Sequence, residues 1–490
     1  MPDFSIDPSA FTDPSSYYEH KQTICLVSKN PVFDWGIDKK SVALSRALAA
    51  EEQCKGTNIR FTKILNGSIR CQSEEYDLIH STRFFLKEIL GRYDDTFLNI
   101  AFGPGATSSL KGSFTNLVCK LGKLPEVTGH GHDYILKSLL THMPHYSISC
   151  GLVERTRYNV RLTTRHLPVQ NHDTISFVPK DSKTDRAIFI GPMGNTMVQK
   201  GQGSLIRRRM KNYGYDLNTR AELHGEYSRI GSIDGSIATI DLANASDTIA
   251  SEVVKTLLPE DWYDALNCTR VKFSDYGSGV PVRNEKFSAM GNGFTWELES
   301  AIFLAIGLAV RYLSNSKTAI VSTFGDDICI STPLAGAMVR ALSFFGFTVN
   351  VDKTFIDGPF RESCGYDYFN GQNVTPIYFK DIHDGKKSIE TIYTLLNRIR
   401  KMAYHFNNSC GCDKRFRSIW KGVLKRIPLD LQFYGNEEYG DDVILTNYQG
   451  YRKYFLTRKA RRVRPSNDDP HLVLSCALYG IPSNGISFRG

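Results

Sequence analysis

The sequence predicts an α+β fold in which helices cover one face of a small, mostly antiparallel sheet. Three observations between about Ser236 and Phe379 lead there. "SIATIDLA" and "KTAIVSTFGDDICIST" are apolar strand-like runs, the second folding back on itself at a Gly-Asp turn. "DTIASEVVKTLL", "GFTWELESAIFLAIGLAVRYL" and "GAMVRALSFFGFTV" carry their apolar residues at helical spacing. "VTPIYFK" then reads as a further strand.

The elements follow in order. Residues 1–30 read as an irregular arm; "MPDFSIDPSAFTDPSS" is acidic and broken by prolines, so it is no signal peptide. From about Ser41 to Leu90 the pattern is helical, as in "SVALSRALAAEE" and "YDLIHSTRFFLKEIL". "AFGPGATSSLKGS" is a glycine-rich loop, either a plain turn or a phosphate cradle. Residues 145–190 read as short strands ending in "TISFVPK". "GQGSLI" resembles a dinucleotide loop but follows no strand and is rejected as one. In "DTIASEVVKTLL", Ile249, Val253, Val254, Leu257 and Leu258 form one stripe. "AIFLAIGLAV" (Ala301 to Val310) is apolar all round and therefore buried, at about half the length of a membrane span.

After Lys386 the chain becomes basic and amphipathic. "IETIYTLLNRIRKMAYHF" and "RFRSIWKGVLKRI" read as helices, the second burying Phe416, Ile419, Trp420, Val423, Leu424 and Ile427. Lys414, Arg415, Arg417, Lys421, Lys425 and Arg426 surround that stripe. "YRKYFLTRKARRVRP" adds Arg458, Lys459, Arg461, Arg462 and Arg464 with no acidic residue. A solvated face is one reading; phosphate contact is favoured because no acid nearby neutralises the charge.

Bulk composition narrows the classes. At 490 residues, 41% apolar and 23% charged, the chain is an ordinary globular protein long enough for several subdomains. The net charge of +9 suits an enzyme with one positive channel and is too small for a histone-like arm. The eleven cysteines are scattered, and only Cys410 and Cys412 are close; this excludes a regular zinc site and indicates reduced thiols in a soluble intracellular protein.

The chemistry concentrates on carboxylates. Asp326 and Asp327 stand together at the tip of an apolar hairpin, where they repel each other and add nothing to a core. Alone, an Asp pair is also a turn former. "ATIDLANASD" supplies Asp241 at the C-terminal end of another strand. If the two strands are neighbours, Asp241, Asp326 and Asp327 converge on one edge. Two Mg²⁺ ions about 4 Å apart would relieve the repulsion and clamp the oxygens of a phosphoryl transfer. Asp247 reads either as the cap of the helix that follows or as a substrate ligand. "FVPKDSKTDRAIFI" spaces Lys180, Lys183 and Arg186 as a triphosphate grip or as an ordinary basic loop. "SAMGNGFT" opens a helix and offers Ser288, Asn292 and Thr295 to a sugar or base. Lys353 in "NVDKTF" is either a solvated lysine or the acid that protonates the pyrophosphate leaving group.

In this order these residues resemble the motifs of viral RNA-dependent RNA polymerases: "VPKDSKTDRAIFI" the fingers motif, then "TIDLANASD", "SAMGNGFTWELES", "TFGDDICI", "GFTVNVDKTF" and "ESCGYDYFNGQNVTPIY" the palm motifs. The wording of the last stretches is similar to the replicase catalytic (beta) subunit of the leviviruses, over about Ser176 to Lys380. The resemblance implies a right-handed fingers–palm–thumb polymerase with a small antiparallel-sheet palm and a helical thumb. It implies an N-terminal arm and fingers over 1–235 (triphosphate loop 176–190), palm over 236–260 and 287–380, a fingers insertion over 261–286, and a basic thumb and C-terminal region over 381–490. It further implies template-directed, unprimed RNA synthesis with Mg²⁺ (Mn²⁺ substituting) on Asp241, Asp326 and Asp327. Template and product RNA, ribonucleoside triphosphates, host elongation factors Tu and Ts and a large ribosomal protein of the small subunit are the implied partners, in the cytoplasm of an infected bacterium, without a membrane. Two departures stand out: Phe324 replaces the usual Tyr before Gly-Asp-Asp, and the Asp241–Asp247 spacing is one residue longer than in many eukaryotic-virus polymerases.

Overall fold

The computed structural model describes residues 4, 6–30, 33, 35–155, 160–162, 166–379, 389–406, 412–435 and 437–445. The chain divides into two compact units, one of residues 7–10 and 36–373, the other of 1–6, 11–35 and 374–490.

The larger unit contains, in chain order, helices α1 (Lys39–Leu65) and α2 (Ser73–Leu90), strands β1 (His172–Pro179) and β2 (Asp185–Ile190), helices α3 (Met193–Asn212) and α4 (Arg220–Asp234), strand β3 (Ile237–Ile240), helix α5 (Ser251–Leu257), strands β4 (Phe273–Asp275) and β5 (Val282–Arg283), helix α6 (Thr295–Leu313), strands β6 (Val321–Phe324) and β7 (Asp327–Ser331), helix α7 (Thr332–Phe344), and strands β8 (Phe360–Ser363) and β9 (Tyr366–Phe369). Further elements join them, among them helices His132–His142 and Glu260–Thr269. α1 starts where the Asp38 carboxylate accepts from the Lys40 and Ser41 amides, both at 3.1 Å. α2 starts where Glu75 reaches back to the Gln72 amide at 2.9 Å, satisfying N–H groups that a first turn leaves open.

β8 and β9 form a three-stranded sheet with Gln372–Asn373, and two further sheets carry the candidate site. One is antiparallel, ordered β3–β7–β6; the other is ordered β2–β1–β4–β5, with β1 and β4 parallel and the remaining pairs antiparallel. The mixture of helix and sheet is the α+β arrangement expected. α6 is buried on every side from Leu298 to Val310 and packs against α2, α3, α7 and β6. Its apolar circumference thus serves a core helix.

The GQGSLI stretch lies inside α3, in keeping with its rejection as a dinucleotide loop. Other local expectations change. Residues Pro144–Ser149 are helical, where strands were expected. Val374–Phe379 form no strand: the backbone of Ile377 is held by a side chain, Gln22 Oε1 accepting from its amide at 2.7 Å and Gln22 Nε2 donating to its carbonyl at 2.9 Å. A side-chain amide occupies the groups a neighbouring strand would have used.

In the smaller unit, residues Pro14–Ser28, expected to be irregular, form a helix capped by Asp13, which accepts from the Ser15 amide at 2.8 Å. Helices Ile389–His405 and Arg417–Leu424 pack around Tyr393, Leu396, Ile427 and Ile444. Ile419, expected in that core, is 56% exposed. Lys414, Arg415, Arg417, Lys421, Lys425 and Arg426 are exposed, and Arg415 is paired with Asp413 and Glu19 at 2.7 and 3.4 Å. Arg458, Lys459, Arg461, Arg462 and Arg464 lie outside the described residues.

Candidate active site

The register of the antiparallel sheet brings the carboxylates together. β3 and β7 are antiparallel neighbours with Ile240 opposite Ile328, so Asp241, which follows Ile240, and Asp327, which precedes Ile328, meet at the same edge. Asp327 pairs with Phe324 across the β6–β7 hairpin, leaving Gly325 and Asp326 as its two turn residues. Gly325 has φ +60°, and a Cβ there would lie 2.5 Å from Trp296 Nε1, so the turn needs glycine for both conformation and space. The Gly325 amide donates to Ser300 Oγ at 2.8 Å, fixing the turn to α6. Phe324 keeps the ring contact of an aromatic residue, edge-on to Trp296 at 4.8 Å.

Behind the hairpin lies a buried polar chain. Tyr215 OH bonds both the amide and the carbonyl of Thr323, satisfying the edge of β6. His224 bridges Ser322 Oγ at 2.9 Å and Ser363 Oγ at 2.8 Å. Burial lowers the imidazole pKa to about 3, so it is neutral.

The carboxylates oppose their own ionisation. Burial first, then Asp326 and Asp241, raise Asp327 to about 7. Burial raises Asp241 to about 6, although Lys353 and a hydrogen bond from Asn350 pull it down. Asn350 Nδ2 donates to Asp241 Oδ2 at 2.7 Å. Lys353 Nζ stands 3.8 Å from the same oxygen and 3.9 Å from Glu362. Burial would lower the Lys353 pKa, but Glu362 and Asp241 outweigh it and the ammonium is stabilised. Glu299, on α6, is a further buried carboxylate: burial and then Asp326 raise its pKa, and Ser246 Oγ donates to it at 2.8 Å.

Hard oxygen donors that repel one another suit Mg²⁺ or Mn²⁺ by their chemistry. Among the described residues, no three His, Cys, Asp or Glu side chains already stand in ligand geometry. Asp241 is engaged by Asn350 and Lys353 instead.

The nucleotide-binding candidates form a second group. Lys180, Lys183 and Arg186 lie on the β1–β2 hairpin, whose turn is closed by Asp181 Oδ1 accepting from the Lys183 and Thr184 amides at 2.9 Å. The Ser288–Thr295 loop is bonded to that hairpin, the Phe189 amide donating to the Met290 carbonyl at 2.8 Å. Gly291 has φ +116°, and a Cβ there would lie 2.2 Å from the Phe189 carbonyl. Asn292 Oδ1 accepts from the Phe294 amide at 3.1 Å, and Thr295 Oγ1 donates to the Ala289 carbonyl at 3.0 Å, so both already serve the loop itself. Ser288 differs. Its buried Oγ has no partner, like Asp173 Oδ1 and Asn284 Oδ1, and these three residues with Lys286, Phe189 and Asn292 line a cavity of about 20 Å³.

Asp247 is not a helix cap. α5 starts after Ala250 without a side-chain cap, and its open amides are satisfied elsewhere: Ser251 N donates to the Glu285 carbonyl at 3.0 Å and Glu252 N to Asn58 Oδ1 at 2.9 Å. The Asp247 carboxylate pairs instead with the buried Lys286 at 3.1 Å. Lys286, Glu299 and Asn350 carry no signal in the sequence taken singly; they become visible only through the residues they meet.

A family model described as "RNA replicase, beta-chain" matches residues 4–461. The chain is 35% identical to the RNA-directed RNA polymerase subunit beta of Enterobacteria phage SP over 82% of its length and 66% of that relative's. It is 31% identical to the subunit beta of Escherichia virus Qbeta over 83% of its length and 65% of that relative's. The chain thus spans just under two thirds of each of these relatives. A solved structure, the RNA-dependent RNA polymerase of a human picorbirnavirus, is 13% identical, with a TM-score of 0.35 over 55% of this chain and 62% of that one, a likeness too weak to carry an argument.

Proposed function

The chain belongs to the RNA replicase beta-chain family, and we propose that it is an RNA-directed RNA polymerase that copies a phage genome from ribonucleoside triphosphates, starting without a primer. The observation that carries this reading is the meeting of Asp241 with Asp326 and Asp327 at one edge of β3–β7–β6. Residues at strand ends that repel one another do not stabilise a fold; they suit a site that receives cations.

In this reading Asp241, Asp326 and Asp327 hold two divalent cations, which when bound supply charge stabilisation and orient the reacting oxygens of phosphoryl transfer. Lys353, kept protonated by Glu362 and Asp241, is the proton source for the departing pyrophosphate. Lys180, Lys183 and Arg186 neutralise the triphosphate. Ser288 donates to the nucleotide with its unpartnered hydroxyl, beside Asn292 and Thr295. Asp247, with no capping role, accepts from the ribose. Residues 1–235, 236–260 with 287–380, and 381–490 act as fingers, palm and thumb, and 261–286 as a fingers insertion.

The relatives are named as beta subunits, which supports work within a complex; host elongation factors Tu and Ts and a large ribosomal protein are the partners proposed, in the infected bacterial cytoplasm. Among the described residues no helix is long and apolar enough to cross a membrane.

Incorporation of labelled ribonucleotides, against deoxyribonucleotides and with and without Mg²⁺, tests the assignment. Template-dependent, Mg²⁺-dependent ribonucleotide incorporation is expected. Deoxyribonucleotide preference would make the chain a reverse transcriptase, and RNA binding without synthesis a non-catalytic RNA-binding protein.

A further inference from the structure

Lys286 is almost completely enclosed, with 1% of its side chain exposed. Its ammonium stands 3.1 Å from Asp247 Oδ1, 3.3 Å from Glu51 Oε1 and 4.0 Å from the centre of the Phe189 ring. Four segments meet on this one cation: α1 through Glu51, β2 through Phe189, the loop after β3 through Asp247, and the lead into the Ser288–Gly293 loop through Lys286 itself. A third carboxylate, Asp173, is close enough for the ammonium to lower its pKa against the effect of burial.

Sealing two carboxylates against one ammonium carries a desolvation cost, which at Lys286 is outweighed by Asp247 and then Glu51, so its pKa is raised. Apolar packing would hold the segments together without that cost. What the ion cluster adds is a carboxylate of fixed direction. Glu51 is hydrogen-bonded at one end, its Oε2 accepting from the Glu285 amide at 2.7 Å, while its buried Oε1 faces the ammonium at 3.3 Å without a hydrogen bond. Asp247 is held through Oδ1 and keeps 15% exposure. It also adjoins the carboxylate edge: the neighbouring Ser246 donates to Glu299, and Glu299 feels both Asp326 and Asp247.

We propose that Lys286 is a positioning residue for ribonucleotide selection. By binding Asp247 Oδ1 it aims the second carboxylate oxygen at the 2′-hydroxyl of the incoming nucleotide, which donates a hydrogen bond to it. This rests on the reading of Asp247 as the ribose contact.

The test measures kcat/KM for single-nucleotide incorporation by the full chain, with any co-purifying partners, as a ratio of ribo- to 2′-deoxynucleotide. D247A is expected to lower that ratio by about 10- to 100-fold, the effect of one hydrogen bond to a charged acceptor. K286M should lower it comparably, mainly through KM for the ribonucleotide, and the D247A/K286M double variant should fall no further than D247A. E51Q, which leaves the Lys286–Asp247 pair in place, should keep the ratio within about twofold of the unaltered chain. If K286M loses its cooperative thermal transition, E51Q/K286Q, which removes one charge of each sign, carries the same prediction. A folded K286M with an unaltered ratio overturns the proposal, as does E51Q falling as far as K286M, which would make the cluster a mere anchor for α1. An unaltered ratio in D247A removes the ribose reading and the proposal with it, and is distinguished by leaving K286M nothing to act through.

Discussion

Lys353 and Lys286 each face two carboxylates within 4 Å, yet the two regions behave as opposites. Lys353 is 48% exposed and stands 3.8 Å from Asp241 and 3.9 Å from Glu362, distances at the limit of an ion pair. Lys286 is sealed, at 3.1 and 3.3 Å. An ammonium held loosely at an open edge can yield to another cation or to substrate, whereas a sealed one cannot be exchanged without unfolding its surroundings. On the proposed reading, similar ingredients serve chemistry in one place and alignment in the other, and exposure decides which.

The comparison breaks most readily at the open edge. D241N should lower RNA synthesis by about 10³-fold or more and leave the thermal transition where it is or slightly higher, since one member of a repelling set is gone. Loss of both activity and fold would give the edge a structural role as well. Next in size is stability at the two lysines. Denaturant unfolding should find K286M destabilised by about 3–5 kcal/mol, because buried carboxylates lose their counterion, and K353M by no more than about 1 kcal/mol, because water replaces an exposed partner. Equal costs would erase the distinction between open and sealed.

His224 sharpens the same point with a neutral buried group. Its folded pKa of about 3 lies below the unfolded value near 6.5, so between these values the unfolded chain binds a proton that the folded chain does not. Stability present above pH about 6.5 is then lost as the pH falls towards about 3, at up to about 1.4 kcal/mol per pH unit. H224Q should flatten that slope in melts between pH 4 and 7. An unchanged slope would mean that the imidazole is reached by solvent.

Smaller effects are expected at the surfaces proposed to bind phosphate. K180A, K183A and R186A should each raise KM for nucleotide about 3- to 10-fold with little change in kcat once saturated. Unchanged nucleotide dependence would return the β1–β2 turn to an ordinary basic loop. On and around the Arg417–Leu424 helix, each exposed charge removed should lower the slope of log affinity for RNA against log salt by about 1. Arg415, already paired with Asp413 and Glu19, should contribute least. An unchanged slope with lost co-purification of host protein would assign this face to a partner.

What was legible in the sequence divides along the same line. Asp241, Asp326 and Asp327 stand out because carboxylates ending apolar strands have no use in a core, but the sequence leaves the neighbouring of their strands as a condition, which the pairing of β3 with β7 meets. α6 is legible from a run too apolar to be exposed. The Lys286 cluster is not, since Glu51, Phe189, Asp247 and Lys286 lie far apart in the chain and each reads singly as a surface charge or a core ring. Asp247 reads as a cap because it precedes a helix, but the fold supplies Asn58 and the Glu285 carbonyl to those amides instead. The absent strand at Val374–Phe379 has a similar cause: Gln22 takes the backbone of Ile377, and no local pattern encodes a partner so distant in sequence.

The most direct test of the proposed catalytic edge is a Mg²⁺ titration of template-directed ribonucleotide incorporation by D326N beside the unaltered chain, both checked for the same thermal transition. The unaltered chain should rise from no synthesis to a plateau as Mg²⁺ is added, and D326N should stay at background at every concentration. Near-normal synthesis by D326N with Mg²⁺ would contradict the assignment of Asp241, Asp326 and Asp327 as the site that holds the ions.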